Sequence, residues 1–492
     1  MAKRVIVVGG GNAALCAAIS ARENGAEVLV LERGRGDLKG GNTAFTAGAM
    51  RVAYDGVDDL LTLMPELTED ELAVTDFGSY SESSFLDDLA RVTEYRTDPE
   101  LADTLVSNSL GALQWMREHG VRFAPIYGRQ AFKIDGKFKF WGGLVVEVNG
   151  GGPGLVENLT SEAGRLGIRV EYGARVTELV LDDSGVTGVV VRQDGKTRTE
   201  HGDAVVLASG GFQSNVAWRA QYLGPNWDLA KVRGTQYNTG DGHRMALDIG
   251  ASPAGNWSGC HAVGWERNAP EFGDIRVGDG FQKHSYPWGV MVNANGKRFV
   301  DEGADFRNYT YAKYGRVILD QPGQFAWQIF DQKVTPLLRD EYRIKQVTKV
   351  TARTLEELAG KLEGVDPEAF LKEMAVYNDA VTQSIPFDPN VKDGRRTVGL
   401  TVDKTNWANT LEEGPFEAYA VTCGVTFTFG GLRINTDAQV LDTDQDPIPG
   451  LFAAGEIIGG IFYFNYPGGS GLTNGSVFGR IAGASAAQSG RA

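Results

Sequence analysis

The sequence of 492 residues is poor in cysteine, in long apolar runs and in positive charge. Its three cysteines, Cys16, Cys260 and Cys423, are far apart and form no CxxC pair, which argues against a disulfide framework, an iron–sulfur cluster or a metal site. No apolar run approaches the ~18 residues that a transmembrane helix needs, so none is expected. The formal net charge of −15 argues against nucleic acid as a partner.

A secretion signal is also missing from the start of the sequence, where a predicted strand begins almost at once. We therefore expect a cytoplasmic protein. The length predicts about two or three domains, and the hydrophobic fraction of 42% is enough for sizeable cores.

Glycine, by contrast, is abundant, and its first cluster follows a run of β-branched residues at positions 5–8. Gly9 can take a tight turn, Gly11 lets a pyrophosphate approach the backbone, and Ala14 is small enough for a helix to pack on the sheet. The helix that follows would point free N–H groups at the phosphates. Glu32 ends the next apolar run, where a carboxylate can accept hydrogen bonds from a ribose. This unit predicts a dinucleotide site.

Four later segments repeat this mixture of glycine and small residues, at positions 39–49, 208–212, 238–243 and 451–456. The first could lie flat against a planar ring. The second ends a predicted strand beside a glycine pair, which allows close approach of the backbone to a cofactor. A further segment at 465–472 opens a helix rich in small residues. We interpret the segments at 39–49, 208–212, 451–456 and 465–472 as further contacts to the same ligand, with a plain surface loop as the alternative for 39–49, whereas the segment at 238–243 is predicted to start a helix.

Residues 256–427 differ from the rest in carrying many aromatic and charged side chains and few strand–helix–strand signals. We predict an inserted domain there. The predicted fold class is therefore α/β, with a Rossmann-like domain formed by residues 1–255 and 428–492 and an α+β domain formed by residues 256–427.

Taken together, the motifs resemble the flavoprotein family of fumarate reductase and succinate dehydrogenase subunits, which also includes 3-ketosteroid Δ1-dehydrogenases and tricarballylate dehydrogenase. The similarity rests on five markers in the family's order, which are residues 9–14 with Glu32, 40–43, 208–211, 239–242 and 453–456. It implies FAD, bound by the Rossmann-like domain under a mobile cap that the inserted domain would form. The cofactor-binding residues that it implies are Gly9, Gly11, Asn12, Ala13, Ala14, Glu32, Arg33, Gly41, Asn42, Thr43, Gly48, Val176, Ala208, Ser209, Gly210, Asp241, Gly455, Glu456, Ser470, Gly471 and Leu472.

One departure from the family concerns the attachment of the cofactor. Membrane succinate dehydrogenases attach FAD covalently through a histidine in the loop after the first acid, whereas this sequence has Asn42 at that place. The resemblance thus implies FAD that is held without a covalent bond.

The catalytic residues that the resemblance implies are His261, Glu302, Arg307 and Tyr466. His261 matches a substrate-binding histidine of the cap, and Glu302 follows an Arg-Phe pair as in soluble fumarate reductases. Arg307 lies five residues after Glu302, where the family has an arginine at three. It is expected to hold a carboxylate or relay protons, oriented by Glu302. The alternatives are a surface ion pair for Arg307, a solvated loop acid for Glu302 and a structural role for His261.

Three positions depart from the pattern of fumarate reductases. Their catalytic-acid arginine falls near Thr335, a substrate histidine falls at Thr426, and a carboxylate-binding arginine falls at Tyr466. The loss of these side chains removes groups that would bind the substrate carboxylates and a group that would donate a proton. This loss disfavours fumarate reduction. The segments around Tyr466 and at 306–313 resemble tricarballylate dehydrogenase most. The Tyr-Pro-Gly part also resembles ketosteroid dehydrogenases, where this tyrosine helps to polarise a ketone.

These features predict a dehydrogenase that introduces a C=C bond next to a carboxylate or carbonyl, with tricarballylate to cis-aconitate as the first choice. Tyr466 would polarise the substrate or act as the base, or else pack on the flavin edge, and Tyr309, Tyr311 and Lys313 could line the cap side. The alternatives are a ketone dehydrogenase of the 3-ketosteroid type, a fumarate-like enoate reductase, and a flavin redox carrier or sensor. Electrons would leave to a quinone, to oxygen or to a redox partner protein.

Overall fold

The apolar run at the N-terminus forms the middle strand of a sheet in the computed structural model, which describes residues 2–140 and 143–489. The strands in chain order are β1 (Arg4–Val8), β2 (Glu27–Glu32), β3 (Ala49–Met50), β4 (Thr75–Asp76), β5 (Phe123–Pro125), β6 (Ala131–Ile134), β7 (Lys137–Phe140), β8 (Val146–Val148), β9 (Arg169–Tyr172), β10 (Arg175–Asp182), β11 (Gly185–Gln193), β12 (Lys196–His201), β13 (Ala204–Leu207), β14 (Lys231–Val232), β15 (Pro253–Glu266), β16 (Val290–Val292), β17 (Ala326–Phe330), β18 (Lys349–Ala352), β19 (Phe416–Leu432), β20 (Gln439–Leu441) and β21 (Pro447–Ala453). The α-helices are α1 (Asn12–Glu23), α2 (Val57–Leu63), α3 (Glu69–Ala73), α4 (Glu82–Val92), α5 (Pro99–Ser107), α6 (Ser109–Glu118), α7 (Tyr127–Gln130), α8 (Gly151–Arg165), α9 (Val216–Trp218), α10 (Asp241–Asp248), α11 (Tyr311–Leu319), α12 (Leu355–Ala359), α13 (Pro367–Ala380) and α14 (Ser470–Gln488).

The sheet around β1 has six strands in the order β20–β21–β13–β1–β2–β9. β1 pairs in parallel with β13 and β2, β21 and β9 extend the parallel part, and β20 is antiparallel. Val5, Ile6 and Val7 are fully buried, as in parallel strands that are covered on both faces. The predicted Rossmann-like fold is confirmed.

Helices α1 and α14 pack against each other beside this sheet. Their contact depends on small residues, because a Cβ atom on Gly483 would lie 2.2 Å from the Ala17 carbonyl oxygen. The Asn12 side chain at the start of α1 donates to the Leu472 carbonyl oxygen in the first turn of α14 (2.9 Å). The N-termini of both helices are therefore held at the same end of the sheet.

We expect Gly483→Ala to lower the free energy of unfolding by about 2 kcal/mol, because the added methyl group overlaps a backbone oxygen of the neighbouring helix. Gly111→Ala is the matched control, since Gly111 lies in α6 with open space at its Cβ position. There alanine should stabilise the protein by about 0.5–1 kcal/mol. Thermal unfolding of both variants measures the difference, and equal melting temperatures would contradict this account of the helix contact.

A second large sheet is organised around β19, which pairs antiparallel with β15, β17 and β18 and parallel with β14. Its core includes Trp327, Phe370 and Tyr377, all buried. The predicted boundaries at 255/256 and 427/428 fall inside β15 and β19. The division of the chain into domains at these positions stays a prediction.

Helices α2, α4, α5 and α6 contribute leucines to the core of the Rossmann-like part, among them Leu60, Leu89, Leu105 and Leu113. These residues are buried, so the helical spacing of the leucines places them in the hydrophobic core. In the described ranges, no helix combines the length and the apolar character that a bilayer crossing requires.

Candidate active site

A large cavity opens at the carboxyl ends of β1, β2 and β13 and extends to the second sheet. It holds about 1930 Å³ of empty space, counting the part that is open to solvent. Residues 8–13, 208–210 and 454–456, most of them glycine or other small residues, line the cavity together with charged and aromatic residues from other segments.

The glycine-rich turn after β1 forms one end of the cavity. Gly9 has a φ of 120°, and a Cβ atom there would lie 2.3 Å from the Ala208 carbonyl oxygen. Both constraints require glycine. The backbone N–H of Asn12 donates to Thr43 Oγ1 (3.0 Å), which joins the start of α1 to the loop that was predicted to face a planar ring. The N-termini of α1 and α14 both border the cavity, as an anionic ligand requires.

Glu32 ends β2, lines the cavity and is 6% exposed. Burial raises the pKa of its carboxyl to about 6, although backbone N–H groups of Gly34 and Gly10 stabilise the charged form. Asp241 lies farther along the cavity and binds both Arg175 (2.9 Å) and Arg33 (3.1 Å). This end of the cavity therefore offers acceptors for hydroxyl groups beside guanidinium groups.

Glu456 and Asn42 tie the cavity to the second sheet. Burial raises the pKa of the Glu456 carboxyl to about 8, and this carboxylate accepts from the Thr428 backbone N–H at 3.1 Å. Asn42 donates to the Thr426 carbonyl oxygen (2.7 Å) and accepts from the Thr235 backbone N–H (3.0 Å). The Asn42 side chain thus holds neighbouring segments together.

Two tyrosines from distant parts of the chain meet at the cavity. Tyr311 begins α11 and Tyr466 lies shortly before α14, and their hydroxyl oxygens are 2.5 Å apart. Burial raises the pKa of both hydroxyls, an effect that the Gly469 backbone N–H opposes at Tyr466. Both tyrosines are therefore protonated at neutral pH. One hydroxyl can donate to the other, which leaves the second free to donate to a ligand oxygen.

Three arginines, Arg129, Arg233 and Arg307, also line the cavity. Asp279 accepts both hydrogen bonds of the Arg129 fork (2.7 and 3.2 Å) and lies 3.8 Å from Arg233. Arg307 forms no ion pair in the described part of the chain, and its terminal nitrogen donates to the Arg129 carbonyl oxygen at 2.5 Å. We name these four residues the arginine wall. Its three positive charges and one negative charge leave two positive charges beside the tyrosine pair.

Glu341 and His284 lie close to the arginine wall. The charge of Glu341 partly offsets the desolvation that lowers the pKa of Arg307, but Glu341 itself is bound to Arg339 at 3.6 Å. His284 lines the cavity, and burial together with Arg307 and Arg233 keeps its pKa well below the usual value. The imidazole is therefore neutral, with its ring 4.9 Å from that of Tyr311.

Comparison with known proteins gives the family. A family model described as an FAD binding domain matches residues 4–472. The chain belongs to this family of FAD-binding proteins. A probable fumarate reductase from Shewanella frigidimarina is 30% identical over 99% of this chain and 75% of that protein. The 4-oxocyclohexanecarboxylate 2-dehydrogenase of Sinomonas cyclohexanicum is 30% identical over 94% of this chain and 89% of that protein. The structure of 3-ketosteroid-Δ4-(5α)-dehydrogenase from Rhodococcus jostii superposes with a TM-score of 0.70 and 25% identity, covering 99% of this chain and 97% of that one.

These matches confirm the predicted family, the FAD cofactor and an enzymatic role, so the protein is an FAD-dependent oxidoreductase. The cavity fits the cofactor on its own chemistry. Its glycine turn admits a pyrophosphate at two helix N-termini, and the buried Asn474 Oδ1 borders the cavity without a hydrogen-bond partner among the described residues. Such a buried oxygen is normally satisfied by a bound group.

The predicted cofactor residues of this flavoprotein nearly all line the cavity, with Ala14, Gly48 and Ser470 as the exceptions. Ala14 is fully buried in α1, behind the glycine turn. A Cβ atom on Gly48 would lie 2.8 Å from the Gly151 backbone. The Ser470 hydroxyl donates to the Pro467 carbonyl oxygen at 2.5 Å. Their positions favour shaping of the site over contact with the cofactor.

Two predicted catalytic residues of the flavoprotein, His261 and Glu302, do not border the cavity. His261 is fully buried behind it, stacked on Phe427 at 5.3 Å and edge-on to Tyr466 at 4.9 Å. Glu302 was expected to orient Arg307, but it forms a buried ion pair with Arg298 at 2.6 Å. This geometry favours a structural role for Glu302 and a supporting role for His261.

The remaining predicted positions divide in the same way. Arg307, Tyr311, Tyr466 and Thr426 line the cavity. Thr335 lies in a 3-10 turn outside the cavity lining, and Lys313 is exposed. Tyr309 points its hydroxyl at Asp88 (3.2 Å). No described group of histidine, cysteine and acidic residues is arranged to hold a metal ion.

Sequence reasoning missed Arg129, Arg233, Asp279 and His284, all of which line the cavity. Arg233 could have been noticed, because it precedes the glycine segment at 238–243 by a few residues. The others carry no local signal. They lie in segments without a motif and meet only through the tertiary fold.

Lowering the pH is expected to weaken FAD binding to the apoprotein as the pH falls through about 6. We expect the ionised carboxylate of Glu32 to bind a ribose hydroxyl more strongly than the neutral acid does, and burial raises its pKa to about 6. Above this pH the affinity should be fully developed. Titration of apoprotein with FAD, followed by flavin fluorescence, measures the effect. In Glu32→Gln the affinity should be about tenfold lower and independent of pH in this range. Glu27→Gln, at the exposed start of β2, is the control, and identical pH profiles for Glu32→Gln and wild type would refute the role.

Proposed function

We propose that this flavoprotein oxidises a CH–CH bond next to a carbonyl group in a small substrate that carries a carboxylate. The observation that carries this proposal is the arginine wall. Arg307 faces the cavity without an ion-pair partner in the described residues, and Arg233 has only a long contact to Asp279. An unpaired charge away from bulk solvent costs several kcal/mol unless an anion joins it. A substrate carboxylate is an anion that an arginine of this site can bind through two parallel hydrogen bonds, in a bidentate geometry.

The tyrosine pair supplies the second half of the chemistry. Loss of the proton next to a carbonyl places negative charge on the carbonyl oxygen, and a protonated tyrosine hydroxyl stabilises that charge. Tyr466 lies beside the start of α14, whose N–H groups add to the stabilisation. When bound, FAD supplies the acceptor for the hydride that leaves the adjacent carbon. Because both tyrosines are protonated, the proton goes to another group, and the neutral imidazole of His284, which borders the cavity, can accept it.

Two kinds of substrate have both a carboxylate for the arginine wall and a second oxygen for the tyrosine pair. Tricarballylate, the first choice from sequence, has three carboxylates, one of which can lie at the tyrosines. A keto acid places a ketone oxygen there and its carboxylate on the arginines. The relative from Sinomonas cyclohexanicum is named for such a keto acid, which supports this class. A steroid ketone fits less well, because its apolar rings would leave Arg307 and Arg233 unpaired.

Reaction of oxidised holoenzyme with a panel of substrates under anaerobic conditions tests this proposal. We expect tricarballylate or 4-oxocyclohexanecarboxylate to bleach the flavin. The methyl ester of the keto acid, which keeps the ketone but loses the charge, should react at least about a hundredfold more slowly. Bleaching by the ester at the rate of the acid, or by a steroid ketone alone, would overturn the proposal. Oxidation of reduced enzyme by fumarate or urocanate in the absence of bleaching would favour the enoate-reductase alternative.

We further propose that FAD is bound without a covalent link, because Asn42 occupies the place of the family's attachment histidine and is held by Thr426 and Thr235. Acid precipitation of the holoenzyme should release all of the flavin into the supernatant. Flavin that remains with the precipitated chain would contradict the prediction. A partner protein, a quinone or oxygen would take the electrons, and a cytoplasmic location is the sequence-based prediction that accompanies this proposal.

A further inference from the structure

Asp279 is the acidic member of the arginine wall, and the proposed function gives it no role. Its carboxylate binds the Arg129 fork at 2.7 and 3.2 Å and accepts from Gln282 Nε2 at 2.9 Å. Arg233 lies 3.8 Å away. Asp279 is 8% exposed and borders the cavity. It therefore occupies the place beside Arg129 that a substrate carboxylate would otherwise take.

We infer that Asp279 is a specificity-determining residue. It neutralises Arg129, so that the site prefers substrates with fewer negative charges. The inference rests on the proposed function, because it concerns the same wall. With Asp279 ionised, Arg233 and Arg307 remain to bind substrate. Without this carboxylate, Arg129 would also face the cavity unpaired and would attract a further anionic group.

The geometry distinguishes this role from a purely structural one. A structural ion pair would be expected away from the reaction space, as with Arg298 and Glu302, which lie outside the cavity lining. Arg129 and Asp279 both border the cavity. Their pairing also joins α7 to the loop between β15 and β16. Because the two residues carry opposite charges, replacing either one alone changes the net charge of the arginine wall in a known direction.

The test is a double-mutant cycle on holoenzyme with two probes that have no saturated CH–CH bond to oxidise, cis-aconitate with three carboxylates and benzoate with one. Binding is followed by the absorbance change of oxidised flavin. Relative to wild type, the preference for cis-aconitate over benzoate should rise about tenfold in Asp279→Asn and fall about tenfold in Arg129→Gln. The double variant restores the wild-type charge and should restore the wild-type preference.

Asp274→Asn is the matched control, because Asp274 lies on the same loop and pairs with the exposed Arg276. It should leave the preference unchanged, and flavin content reports on folding in every variant. Single variants that leave the preference within twofold, or a double variant that does not return to the wild-type value, would overturn the inference while leaving the proposed function intact. If neither probe binds to wild type, both the proposed function and the inference fail.

Discussion

Replacing Arg307 with glutamine is expected to lower kcat/KM for the carboxylate substrate by about a thousandfold, equivalent to about 4 kcal/mol. Arg307 has no carboxylate partner in the described residues, so the substrate is the anion that compensates its charge. Loss of a desolvated charge pair typically costs ~2–5 kcal/mol. FAD content should not change, because the side chain donates to the Arg129 carbonyl oxygen and belongs to the wall.

Arg276→Gln is the control for the loss of one positive charge, since the Arg276 side chain is 84% exposed. It should keep wild-type kinetics. Arg307→Lys should recover only part of the activity, because an ammonium group lacks the planar fork of a guanidinium. A glutamine variant with kcat/KM within tenfold of wild type would show that the carboxylate binds elsewhere.

Replacing Tyr466 with phenylalanine is expected to reduce kcat by about a hundredfold or more with little change in KM. The hydroxyl is 2.5 Å from that of Tyr311 and is protonated, so it is placed to meet negative charge that develops on the substrate oxygen during the reaction. Removal of one such donor typically costs ~10²–10³-fold in kcat. The measurement is the rate of flavin bleaching at saturating substrate in an anaerobic stopped-flow experiment.

Tyr222→Phe removes a hydroxyl from an aromatic cluster with Phe212 and Trp257 outside the cavity lining, and it should react at the wild-type rate. Tyr311→Phe should be slowed like Tyr466→Phe, because each hydroxyl orients the other. If Tyr466→Phe raised KM and left kcat unchanged, the tyrosine would bind substrate without acting in the reaction.

The dinucleotide unit could be predicted from the sequence because all of its signals are local. The β-branched run of β1, Gly9 and Glu32 lie within a few dozen residues, and each has a physical role that requires its residue type. The second sheet gave no comparable signal. β15 and β19 pair over most of their length although they are far apart in the sequence, and no local pattern specifies such a register.

The candidate site was predictable only in part, for the same reason. Arg307 and Tyr466 stand at positions that the family resemblance marks, and both line the cavity. Arg129 and Arg307 are separated by 178 residues and meet only in the folded chain. Glu302 satisfied the family pattern, yet in the folded chain its carboxylate forms an ion pair with Arg298 and not with Arg307. Spacing alone cannot distinguish such a structural pair from a catalytic one.

The central claim is that the arginine wall holds the carboxylate of the substrate while the tyrosine pair holds a carbonyl oxygen. A crystal structure of the holoenzyme with a bound carboxylate ligand tests it most directly. We predict carboxylate oxygens within hydrogen-bond distance of Arg307 or Arg233 and a second ligand oxygen at the hydroxyl of Tyr466 or Tyr311. A ligand whose carboxylate faces solvent, with apolar atoms against Arg307, would contradict the claim.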